Sequence, residues 1–251
     1  MNDRKLGNWG GPIVAYVLVV AVNAAANIVP IGGLRTGDVA DKYASLFTPA
    51  GYTFRIWSVI YLALACYVVY QALPAQRGNS TLADISRLFI GSSAANALWM
   101  FAWHYEFIAI SVLLMFVMLV LLVMIYRKLE FGNDSTSIGE RLFINLPFAI
   151  YTAWISVATI ANISALQAAL GWNDQWMSGA EWTLLKIAIA GAVAAAVSVR
   201  NRDFVFALVV AWAAIGIANG QPGTPEVAGA ATVTGAMALM LAAYELLRRA
   251  R

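Results

Sequence analysis

The sequence carries one cysteine, Cys66, one histidine, His104, and charge on only 12% of its 251 residues. A lone cysteine inside an apolar run excludes an intramolecular disulfide and a thiolate metal cluster. A lone histidine excludes a His-rich metal or haem site, and the chain has no phosphate-binding loop, no HExxH and no evident serine-histidine-acid set. The scarcity of charge decides the class, because a soluble domain carries about a quarter of its residues as charged. With 61% hydrophobic residues and a mean hydropathy of +0.73, a water-soluble globular enzyme is excluded. Disorder is excluded by the nine tryptophans, ten tyrosines and eleven phenylalanines spread along the chain. A transmembrane β-barrel requires alternating segments of about ten residues, and the apolar runs here are twice that length without alternation.

What is present is a series of long apolar runs with polar punctuation: 12–31, 56–73, 88–103, 107–126, 142–166, 182–199, 204–219 and 228–247. At about 20 residues per crossing of a ~30 Å hydrocarbon layer, these predict an all-α integral membrane protein, a bundle of about eight transmembrane helices. The first run follows Arg4 and Lys5 as a signal peptide would, but it exceeds a usual signal core and is read as a span. The hinge at His104, Tyr105 and Glu106 predicts a tight hairpin between spans three and four. Basic residues then divide sharply. Arg4, Lys5, Arg77, Arg87, Arg127, Lys128, Arg141, Arg200, Arg202, Arg248, Arg249 and Arg251 fall on the side of the termini, and Arg35, Lys42 and Arg55 on the other. This bias predicts cytoplasmic termini in a cytoplasmic membrane. The net charge of +3 therefore reports topology, and no nucleic-acid partner is expected.

Topology gives depth. Asn23 and Asn27 share a face late in span one, Asn96 lies past the middle of span three, Asn162 is late in span five and Asn219 ends span seven. Trp57 and Tyr61 are early in span two, as Trp182 and Lys186 are in span six. An amide in hydrocarbon needs partners on other helices, so each asparagine can be a simple helix-helix contact or part of a shared polar chamber in the outer half. Trp9, Trp172, Trp176 and Trp182 suit a membrane interface. Trp99, Trp154 and Trp212 lie inside spans, where an indole N–H needs a partner, and either packing or a pocket accounts for them. Lys186, near a span edge, is expected to extend its stem outward, with a ligand carboxylate or Glu181 as the other candidate partners. No second charged residue lies deep in a span by this reading, which argues against ion-driven pumping. The Ala-rich segment around Gly191 predicts close helix packing.

The segment Phe47-Thr-Pro-Ala-Gly-Tyr-Thr-Phe54 followed by Trp57-Ser-Val-Ile-Tyr61 resembles the W-x-P-P-x-W-x-F and W-x-x-x-Y signature of the TspO/MBR family, the tryptophan-rich sensory or translocator proteins. Asn96-Ala-Leu-Trp99 resembles the family's N-x-x-W of helix three. Tyr151-Thr-Ala-Trp154-Ile-Ser-Val-Ala-Thr-Ile-Ala-Asn162 resembles its Y-x-x-W-x-x-x-A-x-x-x-N of helix five. Phe47, Ala50 and Tyr52 replace the family's Trp, second Pro and second Trp, and Ile150 replaces the Pro before the Tyr, with Pro147 three residues earlier. The resemblance covers roughly residues 10–172 and gives an expected division into a five-helix TspO-like bundle, 1–172, and a three-helix extension, 173–251, outside the five-helix pattern.

The resemblance implies a pocket for porphyrins and other tetrapyrroles, sterols or aromatic drugs, capped by the first loop, in proteins that often dimerise. It implies that Trp57, Tyr61, Asn96, Trp99, Trp154 and Asn162 surround that pocket, with Pro49, Tyr52 and Tyr151 from the same signatures. Asn27 joins them on depth alone. The expected function is a membrane carrier or sensor for a planar hydrophobic ligand, with no obligatory cofactor beyond a bound porphyrin or haem-like molecule. A secondary transporter of a small metabolite and a tetrapyrrole-degrading enzyme are the alternatives. No coupling carboxylate, inverted repeat or acid-base pair supports either of them.

Overall fold

A computed structural model gives the fold and describes residues 6–129, 131, 136–172 and 175–249. Arg4, Lys5 and Arg251, counted for topology above, lie outside the described residues. Among the described residues there are eight long helices and no strand: α1 (Leu6–Ile28), α2 (Ile56–Ala72), α3 (Ser80–His104), α4 (Ile108–Lys128), α5 (Leu146–Ala169), α6 (Gly179–Asn201), α7 (Phe204–Gly220) and α8 (Pro225–Arg249). Each coincides with one expected span. Six helical segments are long and apolar enough to cross a membrane: Trp9–Ile28, Gly51–Ala72, Ile108–Lys128, Ile138–Ala169, Gly179–Asn201 and Pro225–Arg249. Phe204–Gly220 is apolar but shorter, and α3 is diluted by serines and Asn96. The chain is an all-α, multi-pass integral membrane protein.

The ends of the helices follow from local chemistry. Asn79 caps α3 by accepting from Leu82 N, which starts the helix eight residues before the expected span and takes in Arg87, counted above among the basic residues that flank the spans. At the other end Glu106 takes a positive φ of 59° and Phe107 N donates to Ala102 O, closing the expected tight hairpin to α4. Ser178 and Glu181 form a capping box on α6, two donors satisfied reciprocally. Arg202, left-handed at φ 51°, and Asp203, whose carboxylate accepts from Val205 N and Phe206 N, reverse the chain into α7. A five-residue π turn, Arg141–Asn145, leads into α5. Pro147 follows directly on this turn, inside the continuous helical segment Ile138–Ala169, where it has no N–H to give to the helix ladder.

The chain forms two compact units, residues 1–36 with 57–152 and residues 37–56 with 153–251. The division falls inside α5, between Thr152 and Ala153, and does not coincide with the five-plus-three boundary at 172. In the first unit α3 packs on α1 and α4, and Tyr67 sits edge-on against Phe89 and Phe148 at 5.1 and 4.8 Å. Two serines of α3 turn back on their own helix, Ser86 donating to Leu82 O and Ser92 to Phe89 O, so these two hydroxyls are not left bare in an apolar setting. In the second unit α8 packs on α7 and α6. Gly191 of α6 faces Thr234 so closely that an added Cβ would lie 3.2 Å from its methyl. That is the small-residue packing expected there.

Candidate ligand site

Within the first unit, four aromatic rings stand in a row. Trp57 is stacked on Tyr61 at 5.6 Å with 22° between planes and on Trp99 at 6.3 Å and 25°. Trp99 is stacked on Trp103 at 5.9 Å and 20°. Two four-residue spacings, 57/61 on α2 and 99/103 on α3, bring each pair to one helix face. Tyr151 meets Trp57 edge-on at 6.2 Å. The ends of the row are held by backbone: Tyr16 Oη donates to Tyr61 O, and Trp103 Nε1 donates to Thr36 O at 3.1 Å. Thr36 also touches His104. Since His104 Nδ1 lies 2.8 Å from the Met100 carbonyl, which can only accept, Nδ1 carries a proton, and Nε2 lies 3.4 Å from the Thr36 hydroxyl.

Beside the row runs a chain of amides and hydroxyl. Asn23 Nδ2 donates to Asn96 Oδ1 at 3.0 Å, Asn96 Nδ2 donates to Tyr151 Oη at 2.8 Å, and the Tyr151 hydroxyl donates to Met118 Sδ at 3.1 Å. Four helices contribute one member each, and all of these polar groups are buried. Trp99 Nε1 is buried without a hydrogen-bond partner among the described residues. In so dry a setting that N–H is a donor in want of an acceptor. Asn27 does not join. It is exposed and donates to Asn23 O on its own helix.

The remaining expected site residues belong to the second unit. Pro49 and Tyr52 lie in the signature loop, which is strapped to α7. Ala50 N donates to Gly216 O at 2.9 Å, Trp212 Nε1 to Thr53 O at 3.0 Å, Asn219 Nδ2 to Tyr52 Oη at 2.8 Å and Gln221 Nε2 to Thr48 O at 3.0 Å. Tyr52 meets Trp212 edge-on at 5.4 Å, and Phe54 meets Trp154 at 6.4 Å. Asn162 is buried on α5.

A model of the TSPO-like protein family matches residues 11–244. The chain belongs to this family. The match takes in the signature loop, the aromatic row and also α6, α7 and most of α8, so the last three helices are not outside the family's pattern as the five-helix resemblance had implied. No curated protein and no solved structure gives a significant match. TSPO-like membership puts the chain among membrane-embedded binding or transport proteins.

Several residues of this TSPO-like chain carry contacts that its motifs had not singled out. Tyr16, Thr36 and Trp103 buttress the row, and only the 99/103 spacing announces any of them. Two expectations are corrected. Lys186 does not extend outward: it is 9% exposed and its ammonium donates to Gln167 Oε1, while Glu181 is occupied by its capping box. Glu245, near the end of α8, is fully buried, 3.6 Å from Arg248, so Lys186 is not the sole enclosed charge.

Proposed function

We propose that this TSPO-like chain is a membrane binding protein for a planar hydrophobic ligand of the porphyrin or tetrapyrrole class, acting as a carrier or sensor. The observation that carries the reading is the row Tyr61, Trp57, Trp99, Trp103 with the Asn23–Asn96–Tyr151 chain beside it. Flat indole faces stack on a planar apolar macrocycle, and a small number of fixed polar groups orient its edge. The Trp99 N–H supplies a donor that no described residue accepts. On the basic-residue bias the termini are cytoplasmic and the site opens toward the outer half of the bilayer.

The test is a titration of the purified protein with protoporphyrin, read by tryptophan quenching. Replacing both Trp57 and Trp99 by Leu is expected to weaken the saturable component at least tenfold. Trp176→Leu, at a residue 87% exposed, is expected to leave it unchanged. Equal affinity in the double variant overturns the assignment, and displacement by a sterol at lower concentration than by porphyrin moves the ligand class to sterols.

A further inference from the structure

The second unit encloses an open cavity of about 630 Å³ between the signature loop, the start of α6 and the end of α7. Its size is that of a small-molecule pocket. Leu46, Pro49 and Trp182 give it apolar wall, and Lys186 lines it from α6. The other polar groups around it are committed to protein. Thr183 Oγ1 donates to Gly179 O, Gln221 Nε2 to Thr48 O and Trp182 Nε1 to Gln175 O. The ammonium is different. It has three donors, and its partner among the described residues is the neutral amide of Gln167. Buried charges are ordinarily paired with opposite charge, because an amide dipole does not replace the lost hydration of an ion. The one carboxylate on the wall, Asp41, is solvent-exposed and forms no ion pair with Lys186.

We infer that this cavity is a binding site for a small amphipathic carboxylate, whose anionic end pairs with Lys186 while its apolar body lies against Trp182, Leu46 and Pro49. A single cation, with Asp41 on the same wall, suits a monoanion better than a phosphate dianion. The wall is preformed, since the loop that supplies Leu46 and Pro49 is tied to α7 by the Ala50 N–Gly216 O bond and held just past its end by the Gln221 side chain, which donates to Thr48 O. The site lies wholly within the second unit and does not depend on the aromatic row.

The probe is 4-bromobenzoate, whose bromine quenches an indole it touches. Full-length protein is expected to show a saturable quench that Trp182→Phe removes, while equilibrium dialysis still detects binding to that variant. Lys186→Met is expected to weaken binding at least tenfold, and Lys186→Arg to keep it within about threefold. The neutral isostere 4-bromobenzamide, tested on the unaltered protein, is expected to bind at least tenfold more weakly, which decides the point even where a variant folds poorly. No saturable binding, equal binding of the amide, or an unchanged affinity in Lys186→Met overturns the inference. Displacement by inorganic phosphate at lower concentration than by benzoate overturns the carboxylate assignment. Porphyrin titration is expected to be the same in Lys186→Met, and 4-bromobenzoate binding the same in the Trp57/Trp99 variant, so the two sites fail or stand separately.

Discussion

Asn96 uses both ends of its amide, accepting from Asn23 and donating to Tyr151. Asn96→Leu removes both bonds. Asn23 keeps its bond to Val19 O and Tyr151 keeps Met118, so neither is left wholly bare. Membrane-embedded polar contacts are each worth about 0.6 kcal/mol, and two of them give an expected loss of about 1–2 kcal/mol. A lowered midpoint of thermal unfolding in detergent checks it. Lys186 has the opposite sign. Replacing an enclosed cation that has no counter-charge among the described residues by an isosteric apolar chain is often neutral or stabilising, so Lys186→Met is expected to raise the midpoint by a few degrees in ligand-free protein. The asparagines also show how far residue-level reading reaches. Asn23 and Asn27 are equivalent by spacing, yet Asn23 is buried and Asn27 exposed. Only the structure separates them: both turn the amide back to the carbonyl four residues earlier, but Asn23 alone also reaches Asn96 on another helix, and no periodicity reports which one does so.

At the scale of the element, α7 and the signature loop form one device. A Cβ at Gly216 would lie 2.2 Å from Thr53 Oγ1, and one at Gly220 would lie 2.8 Å from Ala50 N. The two glycines, four apart, admit loop backbone where helix packing would have been the ordinary reading of such a pair. Gly216→Ala is expected to destabilise the protein by about 1–3 kcal/mol, the usual cost of overpacking. Adding Thr53→Ala, which removes the two closest atoms, is expected to recover part of that loss, and a double-mutant cycle of unfolding free energies measures the coupling. The loop motif itself was legible, as was α6 from its apolar run. Its anchor was not, since α7 lies outside the five-helix pattern and hydrogen bonds to loop carbonyls leave no mark on composition. The early start of α3 was missed for a related reason. Its first turns are polar.

For the whole molecule, apolarity and its interruptions located all eight helices, and basic residues supplied a direction. Reporter fusions at the two ends are expected to place both on the cytoplasmic side, and a split result would break the eight-span topology. The partition into two compact units was not legible, because it cuts through α5, a helix whose sequence runs without a break from Leu146 to Ala169. Of the segments able to span a membrane, Ile138–Ala169 is the most enclosed, with 61% of its window buried against 28 to 39% in the other five. Family membership over 11–244 agrees with a chain whose late helices are part of its architecture.

The strap between the loop and α7 also sets an order in time. Trp212 reaches back 159 residues to Thr53, and Gln221 reaches back 173 to Thr48. At synthesis rates of about 5–20 residues per second, the loop leaves the ribosome roughly ten seconds or more before the helix that holds it. Throughout that interval its carbonyls must find water or other transient partners. A nascent chain stalled before Phe204 is therefore expected to expose the loop to protease, and one released after Gln221 to protect it, making completion of the seventh helix the event that fixes the family signature in place.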